Sequence, residues 1–281
     1  MELFHMRERA AQELLAVSQE GGAVRCGELF AAAEGLARAG CGRRLVFLLC
    51  RNTPGTLLGY LGCLLCGAAA LLLDAQTAPE LLQRIAGTYR PAFFLVPGDL
   101  PPALRAVLPQ RAAALELRDC ALLPTGEAGP ELHPDLALLL TTSGSTGSPK
   151  LVRLSGKNLQ STAGSIAGYL KLTREERPIT TLPMSYSYGM SIVNSHVLAG
   201  APLLLTRRGI LEREFWDMAA GEGATSLAGV PYTYQMFRRL GLTEMDLPRL
   251  RYLTQAGGKL PPELHRAFAA WAAQTGRRFY V

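Results

Sequence analysis

Short apolar runs alternate with segments of helical character along almost the whole chain, and this alternation restricts the fold more than any other feature. Leu45–Leu49 reads as a strand, a helix follows from about Pro54, and Ala69–Leu73 is the next strand. Pro79–Thr88 is helical in pattern, and Ala92–Val96, Leu136–Thr141 and Leu151–Leu154 are strands. Ser155 is an N-cap for a helix over Lys157–Leu170. A second run starts near Thr173. Its expected strands are Ile179–Leu182, Pro202–Thr206, Thr225–Ala228 and Leu250–Thr254, and its expected helices Leu211–Ala220, Tyr232–Leu240 and Pro262–Thr275. Strands separated by helices pair in parallel through right-handed crossovers. The pattern therefore predicts an α/β fold of two parallel-sheet subdomains with flanking helices, residues 1–170 and 171–281. Pro97–Pro130, rich in proline and alanine, is expected to hold a short helix with irregular connections.

Composition narrows the function classes. The chain has 281 residues, with 48% hydrophobic and 19% charged, enough to bury a large core. Its net charge of +6 is spread over isolated pairs such as Arg43-Arg44 and Arg207-Arg208. No basic block with interleaved aromatics appears, which argues against a nucleic acid partner. Thr53–Leu73 is uncharged and long enough to cross a bilayer, yet Pro54 suits a helix first turn and Gly67 a helix end. The reading is a buried helix followed by a strand, with no membrane span. Cys63 and Cys66 have metal or redox spacing, but no second Cys pair or nearby His completes a ligand set, so they read as core. No metal-ligating residue is assigned. Met1–Ala10 lacks the apolar centre of a signal peptide, and reduced thiols in a cytoplasm are the default.

One segment carries chemistry. After the apolar run Leu136–Leu140 comes Thr142-Ser143-Gly144-Ser145-Thr146-Gly147-Ser148-Pro149-Lys150. Glycines allow successive N–H groups to face one concavity, hydroxyls add donors, and the lysine adds a point charge. Such a loop suits nucleotide phosphates. It is not a Walker loop, because Pro149 precedes Lys150 where that pattern needs glycine.

From Thr142 to Lys150 the string resembles the phosphate loop of the adenylate-forming superfamily, which includes acyl-CoA and aryl-CoA ligases, peptide-synthetase adenylation domains and luciferases. Thr141 departs from the aromatic residue often found before it. Leu182–Gly189 resembles the segment that in relatives gates and lines the carboxylate pocket, with Tyr186 where many carry His. Gly229-Val230-Pro231 is similar to the turn that walls the acyl pocket, and Leu253–Leu260 to the segment that contacts adenine. Leu29–Ala39 resembles the opening helix, and Leu45–Asp74 the first strand-helix-strand.

The resemblance implies ATP-dependent activation of a small carboxylic acid to an acyl-adenylate, with release of pyrophosphate. Transfer to a thiol follows, CoA or a carrier-protein phosphopantetheine. Thr142, Ser143, Gly144, Ser145, Thr146, Gly147 and Lys150 would hold the phosphates, with Lys150 and Thr142 the catalytic residues. Gly257, Gly258 and Lys259 would lie at the nucleotide. Tyr186, Ser187, Tyr188, Gly189, Gly229 and Val230 would shape the acyl pocket. Tyr232, Tyr234 and Met236 suit either pocket or helix core, and His196 reads as a satisfied core or surface residue.

Relatives continue past the position of Val281 into an aromatic-Gly-x-Thr-Glu motif whose Glu binds Mg2+, then a barrel subdomain and a small C-terminal domain. The chain is expected to be the N-terminal portion of such a protein and inactive alone. A non-catalytic nucleotide-binding fragment and one half of a split ligase are the alternatives.

Overall fold

The computed structural model describes residues 3–141 and 150–281. The chain opens with a hairpin, β1 (Leu14–Ser18) and β2 (Gly22–Arg25), followed by helix α1 (Cys26–Arg38). Then β3 (Leu45–Cys50), α2 (Pro54–Cys66), β4 (Ala69–Asp74), α3 (Pro79–Tyr89) and β5 (Phe93–Pro97) alternate. A short α4 (Pro102–Ala106) leads to the hairpin β6 (Leu115–Leu117) and β7 (Cys120–Pro124), and then to β8 (Leu136–Thr141), β9 (Leu151–Ser155) and α5 (Gly156–Leu170). The rest runs α6 (Ser187–Leu198), β10 (Leu203–Leu205), α7 (Arg213–Gly221), β11 (Ser226–Gly229), α8 (Pro231–Arg239), β12 (Tyr252–Gln255), α9 (Pro262–Gln274) and β13 (Arg278–Tyr280).

A seven-stranded sheet has the order β6-β7-β5-β3-β4-β8-β9. Its centre, β5-β3-β4-β8, is parallel as the alternation predicts, and both margins are antiparallel. The central strands are apolar up to Asp74 at the end of β4 and Thr141 at the end of β8, because both faces are covered. Period two divides the run: Val46 and Leu48 enter the core under α1 and α2, while Leu45, Phe47 and Leu49 enter the core on the other face with Leu82 and Ile85 of α3.

Beside it, β11-β12-β13 is parallel, and β10-β1-β2 joins β1 in parallel to β10. The N-terminal hairpin thus belongs to the sheet side of the second run. The expected strand Ile179–Leu182 shrinks to two bridges, Pro178 with Ser226 and Ile179 with Leu204, which link these two sheets. The reason is local. The hydroxyls of Thr180 and Thr181 bond the carbonyls of Thr206 and Ala228, so side chains take over part of the ladder. Two hairpins were not anticipated, β1–β2 and β6–β7, the latter replacing irregular connections.

The uncharged stretch Thr53–Leu73 is α2 plus β4. Gly67 caps the helix at φ 75°, and nearly all of α2 is buried. A Cβ at Gly59 would overlap the Leu95 side chain, and one at Gly62 would stand 2.8 Å from Leu36. The glycines let α2 lie directly on β5 and α1. Among the described residues, no helix is long and apolar enough to cross a membrane. All six cysteines are unpaired, and burial pushes the Cys63 and Cys66 thiols up.

Candidate active site

The segments singled out by sequence gather at the carboxyl ends of the parallel strands, where ligands bind in open α/β sheets. Thr141 ends β8 and pairs with Leu151 of β9, so the anchors of the phosphate-loop sequence are cross-strand neighbours. Thr142, Ser143, Gly144, Ser145, Thr146 and Gly147 lie outside the described residues. Lys150 is exposed immediately before β9.

The other sheet contributes two turns. Gly229 ends β11, and Val230 caps α8. A Cβ at Gly229 would stand 2.8 Å from Thr233, so the strand enters the helix through a turn with no room for a side chain. Gly257 and Gly258 follow β12, with Gly257 at φ 81°. A Cβ on Gly257 would lie 2.7 Å from the Tyr186 hydroxyl and 3.1 Å from Val230. Gln255 holds this turn by donating from Nε2 to the carbonyls of Ala256 (3.1 Å) and Gly258 (2.9 Å). Lys259 is exposed beyond it.

Tyr186 precedes α6 and is 39% exposed. Ser187 opens the helix and is exposed. Gly189 is buried, and a Cβ there would collide with the Pro183 carbonyl oxygen, so glycine permits the sharp entry into α6. Asn52, just past β3, clasps this segment: its Nδ2 donates to the Leu182 carbonyl (3.1 Å) and its Oδ1 accepts from the Met184 N–H (3.1 Å). Asn52 thereby ties the seven-stranded sheet to the entry of α6, a role with no local sequence signal.

Between α5, α6, β11 and β12 lies a cavity of about 420 Å³. Tyr188, Ser191, Ile192, Ser195 and His196 of α6 line one side, and their helical spacing puts them on one face. Tyr252 and Thr254 of β12 line another at strand period two, and Ile166 and Tyr169 of α5 a third. Of the sequence-assigned pocket residues only Tyr188 is in the lining; Tyr186, Ser187, Gly189, Gly229 and Val230 flank it. Tyr234 is core, with its hydroxyl on the Thr254 carbonyl (2.9 Å), Met236 is buried, and Tyr232 is exposed.

The polar groups on the α6 and β12 walls bond largely to one another. The Tyr188 hydroxyl donates to Thr254 Oγ1 (2.7 Å), and burial pushes this phenol up to about 12. His196 is buried, with Nδ1 2.8 Å from the Ile192 carbonyl and Nε2 3.0 Å from the Tyr252 hydroxyl. A carbonyl only accepts, so Nδ1 carries the proton and Nε2 accepts from Tyr252. Burial pushes His196 down to about 4, which keeps it neutral near pH 7. No Asp, Glu, Lys or Arg is among the described lining residues. Among all described residues no group of three His, Cys, Asp or Glu is placed to hold a metal ion.

Known proteins resemble this chain in sequence and in fold. Novobiocin biosynthesis protein H of Streptomyces niveus is 27% identical over 95% of this chain and 46% of its own length. Oxalate–CoA ligase of Arabidopsis thaliana is 33% identical over 49% of this chain and 29% of its own. The chain thus spans less than half the length of these curated relatives. Its fold superposes on o-succinylbenzoate CoA synthetase of Bacillus subtilis, solved with its acyl-adenylate intermediate, with a TM-score of 0.78 at 22% identity over 99% of this chain and 57% of that one. The family model described as "AMP-binding enzyme" matches residues 28–280, nearly the whole chain, and the chain belongs to that family.

Proposed function

We propose that the protein carrying this chain activates a small carboxylic acid with ATP, forming an acyl-adenylate and releasing pyrophosphate, and then passes the acyl group to a thiol of CoA or of a carrier protein. The observation that carries the reading is the family match combined with a largely apolar cavity between α6 and β12, beside the Gly257-Gly258 turn. ATP with Mg2+ supplies the electrophilic α-phosphorus and the leaving group. The turn suits a flat base: Gly257 presents bare backbone toward Tyr186, where a side chain has no space. Gly258 and Lys259 would border the same base. Thr142, Ser143, Ser145 and Thr146 would hold the terminal phosphates with the backbone of Gly144 and Gly147. Lys150 would offset the charge growing on the departing pyrophosphate. The cavity takes the acyl tail and excludes water from it, with Tyr188 in its wall and Gly189, Gly229 and Val230 fixing the turns around it. Catalysis of this kind rests on positioning and charge stabilisation.

The test is carboxylate-dependent exchange of labelled pyrophosphate into ATP by the protein carrying this chain. Lys150→Ala is expected to lower the exchange by on the order of tenfold or more. Unchanged exchange would overturn the role of Lys150, and absence of exchange with every acid offered would overturn the reading as a whole.

A further inference from the structure

Asn52 grips the stretch before α6 on both sides of a single residue. Its Nδ2 donates to the Leu182 carbonyl and its Oδ1 accepts from the Met184 N–H, each at 3.1 Å. Pro183 lies between them and has no N–H of its own to add. A primary amide presents donor and acceptor side by side, which suits a carbonyl and an N–H two residues apart. Leu182 and Met184 are buried, and among the described residues neither backbone group has another hydrogen-bond partner. Asn52 is itself held still. The Arg51 N–H donates to Thr56 Oγ1 of α2 (3.2 Å), the Thr53 N–H to the Arg51 carbonyl (2.9 Å), and Arg51 Nε lies 3.2 Å from Asp99 beyond β5.

The grip reaches the site through Tyr186. The Pro183 carbonyl accepts from the Tyr186 N–H (3.0 Å), and the same oxygen forbids a side chain at Gly189. Tyr186 then crosses to the other sheet, its hydroxyl against Gly257, where a Cβ would stand 2.7 Å away. Asn52 is not in the cavity lining, so its effect on an acid runs through where it sets Tyr186 and the start of α6. A displacement of about 1 Å at such a support is enough to change binding at the site it supports.

We propose that Asn52 is a positioning residue for the carboxylic acid. Anchored beside β3 of the seven-stranded sheet, it sets Tyr186 at the edge of the acyl cavity and so raises affinity for the acid without touching it. The inference rests on the activation reading above and adds a residue to which the motif resemblance does not point. Loss of the clasp weakens acid binding, and that loss vanishes once Tyr186 has no ring to position.

The experiment is the acid dependence of pyrophosphate exchange by the protein carrying this chain, with whichever of benzoate, phenylpropanoate and hexanoate best supports exchange. Asn52→Ala is expected to raise the KM for that acid about tenfold, the worth of one to two hydrogen bonds. A residue that merely held the fold would lower the active fraction, and with it kcat, and leave KM alone. Tyr60→Phe is the comparison: it breaks the bond from α2 to Asn194 of α6 and should leave KM unchanged. In a Tyr186→Ala background, Asn52→Ala should change KM by less than about twofold, because no ring remains to be placed. Asn52→Asp keeps the size and the acceptor for Met184 and loses the donor for Leu182. It should raise the acid KM as well, and it decides the question if the alanine variant does not fold. Unchanged KM in whichever variant folds, or equal increases with and without the Tyr186 ring, would overturn the inference and leave carboxylate activation intact. Failure of both variants to fold would overturn it too, by making Asn52 a residue of the fold alone. Failure of the unaltered protein to exchange with every acid offered would take down the activation reading and this inference together.

Discussion

Two buried helices, α2 and α6, meet through a hydrogen bond from the Tyr60 hydroxyl to Asn194 Oδ1 (3.0 Å), yet they are buried for different ends. Helix α2 is apolar or small on every side, and its glycines bring it against β5 and α1. It has almost nothing to offer a ligand. Helix α6 is buried as deeply over Asn194, Ser195 and His196, but it keeps polar side chains and satisfies each inside the protein. Packing alone explains α2. In α6 the polar groups cost desolvation that an apolar helix would avoid, and Ser195 and His196 line a cavity. The contrast separates a helix that builds the fold from one that shapes a site.

The strongest way to break this contrast is to disturb the packing helix. Gly59→Val places branched carbons where a Cβ already overlaps Leu95, with Leu48 close behind. A loss of about 3 kcal/mol is expected, the upper range for overpacking a tight core. Gly87→Ala in α3 is the control, since nothing lies within 4 Å of its Cβ and the residue is exposed. It should stabilise by up to about 1 kcal/mol. Urea denaturation of both variants decides the matter. Equal midpoints would mean that α2 is not closely packed.

The second test addresses α6 through acid. His196 is held at about 4, below its ordinary 6.5. The unfolded chain therefore binds a proton between these values that the folded chain refuses. Stability from this group is fully present above pH 6.5 and is lost as pH falls toward 4. From pH 7 to pH 4.5 the loss is about 2 to 3 kcal/mol. His196→Gln should remove that share of the pH dependence while carboxylate contributions common to both proteins remain. Parallel pH profiles would show that His196 is not buried neutral.

How much of this was legible in the sequence follows the range of the interactions. Strands such as Leu45–Cys50 and helices such as Pro54–Cys66 announce themselves by local pattern and terminal residues. The hairpin β1–β2 does not, because its partner β10 lies far along the chain, Ala16 against Leu203. Ile179–Leu182 has a strand-like composition, but threonine hydroxyls replace much of its ladder. At the site, motif resemblance located Tyr186–Gly189 but not that α6 starts at Ser187. Had that start been known, helical spacing would have put Ser191, Ser195 and His196 on the face of Tyr188. Nothing local marks Asn52, whose two partners are on the segment before α6.

The smallest effect sharpens the contrast most, because it is read at the contact between the two helices. Tyr60→Phe removes the donor to Asn194 Oδ1 and leaves that oxygen buried, while Asn194 Nδ2 keeps its contact with the Met190 sulfur (2.9 Å). A cost of about 1 to 2 kcal/mol is expected, the penalty of one unsatisfied buried acceptor. Asn194→Leu alone should cost a similar amount by stranding the Tyr60 hydroxyl. The double variant should cost less than the sum, because replacing both partners by apolar groups removes the unmet demand along with the bond. A coupling of about 1 kcal/mol in urea midpoints would assign the polar residue of α6 a structural partner in α2, leaving Ser191, Ser195 and His196 as the part of that helix devoted to the cavity. Simple additivity would mean that the Tyr60–Asn194 pair contributes nothing to joining the two helices.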